Sequence, residues 1–351
     1  MPDGLSDIAE RYRAVLFDLD GTLVRAREPL PGAPEVVAEL RRRGTAIRYL
    51  TNNACRGPAS VAALLSAGGF PASADDVSTS AQAAADLLAR RLRTGARVLV
   101  VGTDDLRAEV EAVDLVAVGT ADDDPVAVVQ GFSPQLDWSL LAEACLAIRA
   151  GAWWVATNRD VTLPGPRGLV PGNGSMVAAL RAATDREPVF AGKPEPALFH
   201  HAARAGEGEP VLVVGDRLDT DIAGAARAGL DAIAVLSGVT RPIDVLSAVG
   251  PHRPWLVAAD VTGLLHPIDG LAVGPRAAWR VESSAAGVIV LHSAGRGSET
   301  AEPPPCAVDA LRSLCSAWWT SGGEGRPQSV DAGDQAAAVV LSKLGLEATV
   351  E

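Results

Sequence analysis

Two apolar runs, Ala14-Val15-Leu16-Phe17 and Val211-Leu212-Val213-Val214, each end abruptly on an acidic turn. A continuous Val/Leu run of this length, without polar alternation, is what a strand covered on both faces requires. Helical patterns follow such runs: Pro34–Arg43 closed by Gly44, Ala59–Ser66 closed by Gly68-Gly69, and a helix from Asp219 to Ala228. Strand–helix alternation of this kind predicts βαβ units and a parallel sheet. Further strands are expected at Ala46–Leu50, Val189-Phe190 and Ala232–Leu236.

The middle of the chain carries its own alternation. Helices are expected at Ala81–Leu92, Asp105–Ala112, Trp138–Arg149 and Ser175–Ala183, with strands at Arg97–Val101, Leu115–Val118, Val126–Gln130 and Trp153–Ala156. The expected architecture is therefore α/β, a Rossmann-like parallel-sheet core with an inserted α/β cap and a small α+β C-terminal domain. The boundaries read as 1–78 with 187–266 for the core, 79–186 for the cap and 267–351 for the C-terminal domain. A β-hairpin (Ala277–Ser283 with Gly287–His292) and helices at Val308–Trp318 and Asp334–Lys343 are expected in the last part.

Open parallel sheets bind ligands beyond the carboxyl ends of their strands. Four such ends carry chemistry here. Residues two apart in extended chain face one side, so Asp18 and Asp20 both address one pocket while Gly21 lets the chain turn away. Carboxylates so close repel, and a hard divalent cation relieves that repulsion. Thr51-Asn52-Asn53 offers a hydroxyl and amides to phosphate oxygens, and Lys193 in Gly192-Lys193-Pro194 offers a point charge. The loop Gly215-Asp216-Arg217-Leu218-Asp219-Thr220-Asp221 supplies carboxylates to complete a metal site.

Together these segments resemble the haloacid dehalogenase-like hydrolases, in particular the phosphatases with a large α/β cap between the second and third motifs. Ala156-Thr157-Asn158-Arg159-Asp160 and Pro171-Gly172-Asn173-Gly174-Ser175 resemble the cap signatures of that subfamily. The resemblance implies Asp18 as nucleophile, forming an aspartyl phosphate, and Asp20 as general acid and then base. It implies Mg²⁺ held by the Asp18 carboxylate, the Asp20 carbonyl and Asp216, with Asp221 behind them. It implies substrate contacts from Thr51, Asn52, Asn53 and Lys193. An Asp at position 20 suits an alkoxide leaving group, hence phosphomonoester hydrolysis.

The substrate class implied is a small phosphate ester. The fused C-terminal segment resembles actinobacterial members of the family, which makes glycerol 3-phosphate the first expectation. Phosphoglycolate, pyridoxal phosphate and nucleoside monophosphates are the alternatives. A phosphate-binding regulator without turnover is a second class. A bifunctional protein with an acetyltransferase-like (GNAT-like) C-terminal module is a third, although Arg296-Gly297-Ser298 matches a coenzyme A turn poorly.

The remaining composition narrows the setting. A net charge of −12 with no offsetting Lys/Arg-rich run argues against nucleic acid as a partner. Four scattered cysteines fit neither a metal site nor a disulfide framework, and no apolar run spans a bilayer. A cytoplasmic location is expected, with peripheral membrane association and homo-oligomerisation left open. There is no Gly-x-Gly-x-x-Gly after a strand and no P-loop.

Overall fold

The computed structural model describes residues 7–165, 167–206, 208–284, 287–294 and 306–346. Its contacts divide the chain into two compact units, residues 1–45 with 210–351, and residues 46–209.

In the first unit the strands Ala14–Asp18, Val211–Gly215, Asp231–Val235 and Leu256–Ala258 pair side by side in that order, all parallel. Val15 lies opposite Leu212, Val213 opposite Ala232, and Ile233 opposite Leu256. The apolar runs are fully buried, as their lack of alternation requires. The helix Ala33–Arg42 has Pro in its first turn, buries Val36, Val37 and Leu40, and carries Arg41 and Arg42 in its last turn, where cations complement the helix dipole.

The C-terminal residues of this unit form a three-stranded sheet. Trp279–Ser283 pairs antiparallel with Val288–Ser293, which pairs parallel with Ser329–Ala332. The helices Ala307–Thr320 and Gln335–Leu344 complete it, the second capped by Asp334, whose carboxylate accepts from the Ala337 N–H at 2.9 Å. The hairpin thus forms where it was expected. The strand Ser329–Ala332 was missed, being four residues long and half polar.

The C-terminal sheet and helices share one apolar cluster with the parallel-sheet part of the unit. Val245, Leu246 and Val257 pack together with Ile289, Leu311 and Leu341, among others. Arg312 is buried, pairs with Asp309, and donates from its guanidinium to the Val257 carbonyl of the strand Leu256–Ala258. The Trp319 indole donates to the Leu246 carbonyl at 3.1 Å. Residues 267–351 carry none of the expected chemistry, yet described residues among them, from Trp279 to Leu346, supply much of a shared core. A chain ending at His266 would present that apolar face to water and is expected to lose soluble yield. Arg312→Ala is expected to lower stability by about 2–4 kcal/mol, because a buried carbonyl and Asp309 lose charged partners together. Chemical denaturation of the full chain reads that loss directly; an unchanged midpoint would refute it.

In the second unit Ala46–Thr51 pairs parallel with Val77–Thr79. A separate five-stranded parallel sheet runs in the order Val189–Phe190, Trp153–Ala156, Ala127–Gln130, Arg97–Val101, Val116–Val118. One face of it packs on the helices Trp138–Arg149 and Asn173–Thr184 through Leu99, Val128, Trp154, Ala147, Ile148, Val177 and Leu180. An exposed hairpin, Thr162–Gly165 with Gly168–Pro171, was not foreseen from its Pro- and Gly-rich sequence. Among the described residues no helix is long and apolar enough to cross a membrane.

Candidate active site

In the first unit, Ala14 to Phe17 are buried and Asp18, the last residue of the strand, is half-buried. The chain then folds back tightly, with the N–H groups of Leu23 and Val24 both donating to the Leu19 carbonyl, at 2.9 and 3.0 Å. Gly21 closes this turn at φ +88°, in the left-handed region that residues with a Cβ seldom enter. Asp20 stays exposed beside Val24, with which its backbone forms a bridge.

Asp216 follows the strand Val211–Gly215 directly and is completely buried. Asp221 comes from a single π turn, Leu218–Ile222, that interrupts the expected start of the next helix. Such wide turns are concentrated at functional sites, because they redirect a side chain that a regular helix would send elsewhere. Asp18, Asp216 and Asp221 each offer a carboxylate oxygen within 4.8 Å of the others. Two of the three acids are at most 1% exposed. An all-oxygen donor set of hard anionic ligands, without Cys or His, fits Mg²⁺ better than Zn²⁺ or a softer ion.

The fixing of Asp216 was not legible in the motifs. The Val239 N–H donates to its Oδ2 at 2.6 Å, and the Thr240 N–H to its carbonyl at 3.1 Å. A Cβ on Gly238 would fall 1.9 Å from Oδ2, and one on Gly21 would fall 2.3 Å from it. Two glycines therefore flank the carboxylate. The Ser237 hydroxyl donates to the Gly21 carbonyl at 2.7 Å, and the Arg25 guanidinium donates to the Ser237 carbonyl. The signal that could have revealed this loop is its position, immediately after the strand Asp231–Val235.

The loop after Asp216 is only partly as expected. Asp219 turns away from the acidic group onto the Arg217 guanidinium, with bonds of 3.1 and 2.8 Å. Asp221, expected behind the ligands, brings its oxygen as close as the other two acids. It also accepts from the Arg217 N–H at 3.1 Å.

In the second unit Thr51 ends its strand almost buried, and its Oγ1 accepts from the Asn53 N–H at 3.0 Å. Asn53 is exposed, and its Oδ1 accepts from the Cys55 N–H at 2.8 Å. Asn52 faces the backbone of Lys193. Its Oδ1 accepts from the Lys193 N–H at 2.8 Å, and its Nδ2 donates to the Lys193 carbonyl at 3.2 Å. Both ends of the amide are thereby committed to the backbone of one residue. Lys193 itself is 4% exposed.

The chain is similar to known proteins along nearly its whole length. Residues 15–116 match the model of the haloacid dehalogenase-like hydrolase family, and residues 190–264 match that of a HAD-hydrolase-like family. Residues 276–346 match the GCN5-related N-acetyltransferase like domain. The chain is 45% identical to the D-glycerol 3-phosphate phosphatase of Mycobacterium tuberculosis, over 97% of this chain and 96% of that one. It is 37% identical to the 5′-nucleotidase YutF of Bacillus subtilis, over 66% of this chain and 89% of the other. The crystal structure of the M. tuberculosis glycerol phosphate phosphatase in complex with magnesium superposes with a TM-score of 0.89 at 44% identity, covering 98% of this chain and all of that one.

Proposed function

The chain belongs to the haloacid dehalogenase-like hydrolases, and from that premise we propose that it is a Mg²⁺-dependent phosphatase whose substrate is glycerol 3-phosphate. The grouping of Asp18, Asp216 and Asp221 carries the reading, since three carboxylates drawn so close repel one another and a hard divalent cation relieves that repulsion. The similarity to the glycerol 3-phosphate phosphatase over nearly the whole chain, C-terminal part included, supports the choice of substrate.

In the proposed reaction an Asp18 oxygen attacks phosphorus. The new P–O bond forms as the P–O bond to glycerol breaks, and Asp20 gives its proton to the departing alkoxide. Water then attacks the aspartyl phosphate, Asp20 takes up a proton from it, and the break between Asp18 and phosphorus frees inorganic phosphate. The exposure of Asp20 suits a group that must serve first as acid and then as base. Mg²⁺, held by the Asp18 and Asp216 carboxylates and the Asp20 carbonyl with Asp221 beside them, would offset the gathered negative charge. Thr51 and Lys193 are assigned to the transferred phosphoryl oxygens, Thr51 as hydroxyl donor and Lys193 as charge.

The domain division that goes with this reading is a core of 1–78 and 187–266, a cap of 79–186 and a C-terminal domain of 267–351. The four strands between Arg97 and Ala156 and the three-stranded sheet between Trp279 and Ala332 support the two added domains, while the fifth strand of the first sheet, Val189–Phe190, carries that sheet past the boundary at 186. The tripeptide Arg296-Gly297-Ser298 lies outside the described residues. We assign the C-terminal domain a packing role and expect no acetyl transfer. Four unpaired cysteines suit a reducing, cytoplasmic setting.

A phosphate-release screen with Mg²⁺ over glycerol 3-phosphate, phosphoglycolate, pyridoxal phosphate and a nucleoside monophosphate tests the substrate. Glycerol 3-phosphate should have the highest kcat/KM; a tenfold preference for another ester would overturn the choice. EDTA should silence the enzyme and Mg²⁺ restore it, whereas Ca²⁺ should restore little. Ca²⁺ takes more and longer oxygen ligands, which would draw both Asp18 oxygens onto the metal and blunt the nucleophile. Full turnover by metal-free protein would contradict the site.

A further inference from the structure

Asn52 is the near end of a longer chain of carboxamides, all within residues 46–209. Its own carbonyl accepts from Asn158 Nδ2 at 2.8 Å and from the Ser80 hydroxyl at 2.6 Å. The Asn158 carbonyl in turn accepts from Asn173 Nδ2 at 2.8 Å, and that same Nδ2 lies 3.5 Å from the Gln130 carbonyl. Asn158 and Asn173 are buried. We propose that Asn52, Asn158 and Asn173 form a relay of positioning residues that sets where Lys193 stands. The proposal rests on the reading of Lys193 as the phosphoryl-binding cation.

The chemistry of the amide explains why asparagine occupies positions 52 and 158, where Asn158 donates to the Asn52 carbonyl and accepts from the Asp160 N–H, while Asn173 acts through its donor alone. A carboxamide presents one acceptor and two donor hydrogens on a short, planar arm, so it can read a peptide N–H and a peptide C=O together. Asp would lack the donor, and Gln would place the amide one methylene too far. The relay joins the carboxyl ends of four strands, after Thr51, Gln130, Ala156 and Phe190. Gly192 lets them come together. Its N–H donates to the Thr157 carbonyl at 2.8 Å, and a Cβ there would lie 2.5 Å from that oxygen and 2.6 Å from Asn52 Oδ1.

Leaving a buried amide partner unsatisfied costs about 1–3 kcal/mol, so the strand ends move before they tolerate the loss. Because the clamp holds the backbone N–H and C=O of Lys193 itself, such movement is passed to its side chain. Misplacement of a reacting or binding group by about 1 Å can lower rate by roughly a hundredfold. The Asn158 and Asn173 motifs, read from sequence as cap signatures, thus act on the transferred phosphoryl group without touching it.

A double-mutant cycle in the full-length protein tests the relay. The variants are Asn52→Ala, Lys193→Met and the pair, with Asn158→Ala as an independent break further along. The readouts are kcat/KM and the affinity for inorganic phosphate by titration calorimetry, on variants whose thermal melts confirm folding. Asn52→Ala should lower both readouts about thirtyfold in the parent protein and less than about twofold in the Lys193→Met background. Asn158→Ala should follow the same pattern with a smaller loss. Equal losses in both backgrounds would show that Asn52 meets the substrate itself and would sink the relay. If Lys193→Met left phosphate affinity and kcat/KM at parent values, the reading of Lys193 would fall and the relay with it.

Discussion

Asp18→Asn is expected to abolish phosphate release, by about 10⁴-fold or more, while the protein stays folded. An amide nitrogen or oxygen is a poor nucleophile toward phosphorus, and no neighbouring acid stands in the same place: Asp216 and Asp221 are buried at other strand and turn positions. The same substitution removes one charge from the acidic group. Two unit charges about 4.8 Å apart at an effective dielectric constant near 20 repel by roughly 3–4 kcal/mol. The neutral variant should accordingly melt no lower than the parent in metal-free buffer, and Mg²⁺ should raise its melting temperature less. Phosphate release, thermal melts with and without Mg²⁺, and a search for phosphate covalently bound to Asp18 in the parent together check this. Near-parent turnover by the variant would end the covalent mechanism.

Gly238→Ala is the second large effect, and it arises at a residue without any functional group. The added methyl would sit 1.9 Å from Asp216 Oδ2, 2.4 Å from Cγ and 2.7 Å from Cβ. Asp216 has no room to yield, since it is fully buried and held by the Val239 N–H. Either the carboxylate turns out of the acidic group or the loop Ser237–Thr240 withdraws, and both disperse the donors for Mg²⁺. Mg²⁺ affinity by calorimetry should fall at least about a hundredfold, with kcat/KM falling alongside and the circular dichroism spectrum retained. Gly119→Ala serves as the control, since a Cβ there meets nothing within 4 Å and its backbone is unstrained. Parent-like Mg²⁺ affinity in Gly238→Ala would mean that the flanking glycines do not fix Asp216.

Much of the fold was legible because buried parallel strands leave a crude signal. The strands Arg97–Val101 and Trp153–Ala156 and the helix Trp138–Arg149 stand where apolar runs and periodicity put them. Val77–Thr79 and Leu256–Ala258 were not foreseen; each is three residues long and is held in its neighbour's ladder. The π turn Leu218–Ile222 reads as ordinary helix in sequence. Its widening depends on where Asp221 must be buried, which local propensity does not express.

The sequence by itself determined which residue types stand at the strand ends: two acids at 18 and 20, Thr-Asn-Asn at 51–53, a lysine at 193, acids at 216, 219 and 221. Periodicity and the rule of carboxyl-end binding were enough for that. Only the tertiary structure decided what each polar group faces. It gathered Asp18, Asp216 and Asp221, turned Asp219 onto Arg217, turned the Asn52 amide onto the Lys193 backbone, and built the described C-terminal strands and helices into a shared core. The physical reason is that a buried polar atom must be satisfied by whatever partner the folded chain brings within about 3 Å, and sequence spacing fixes a residue's face and not that partner.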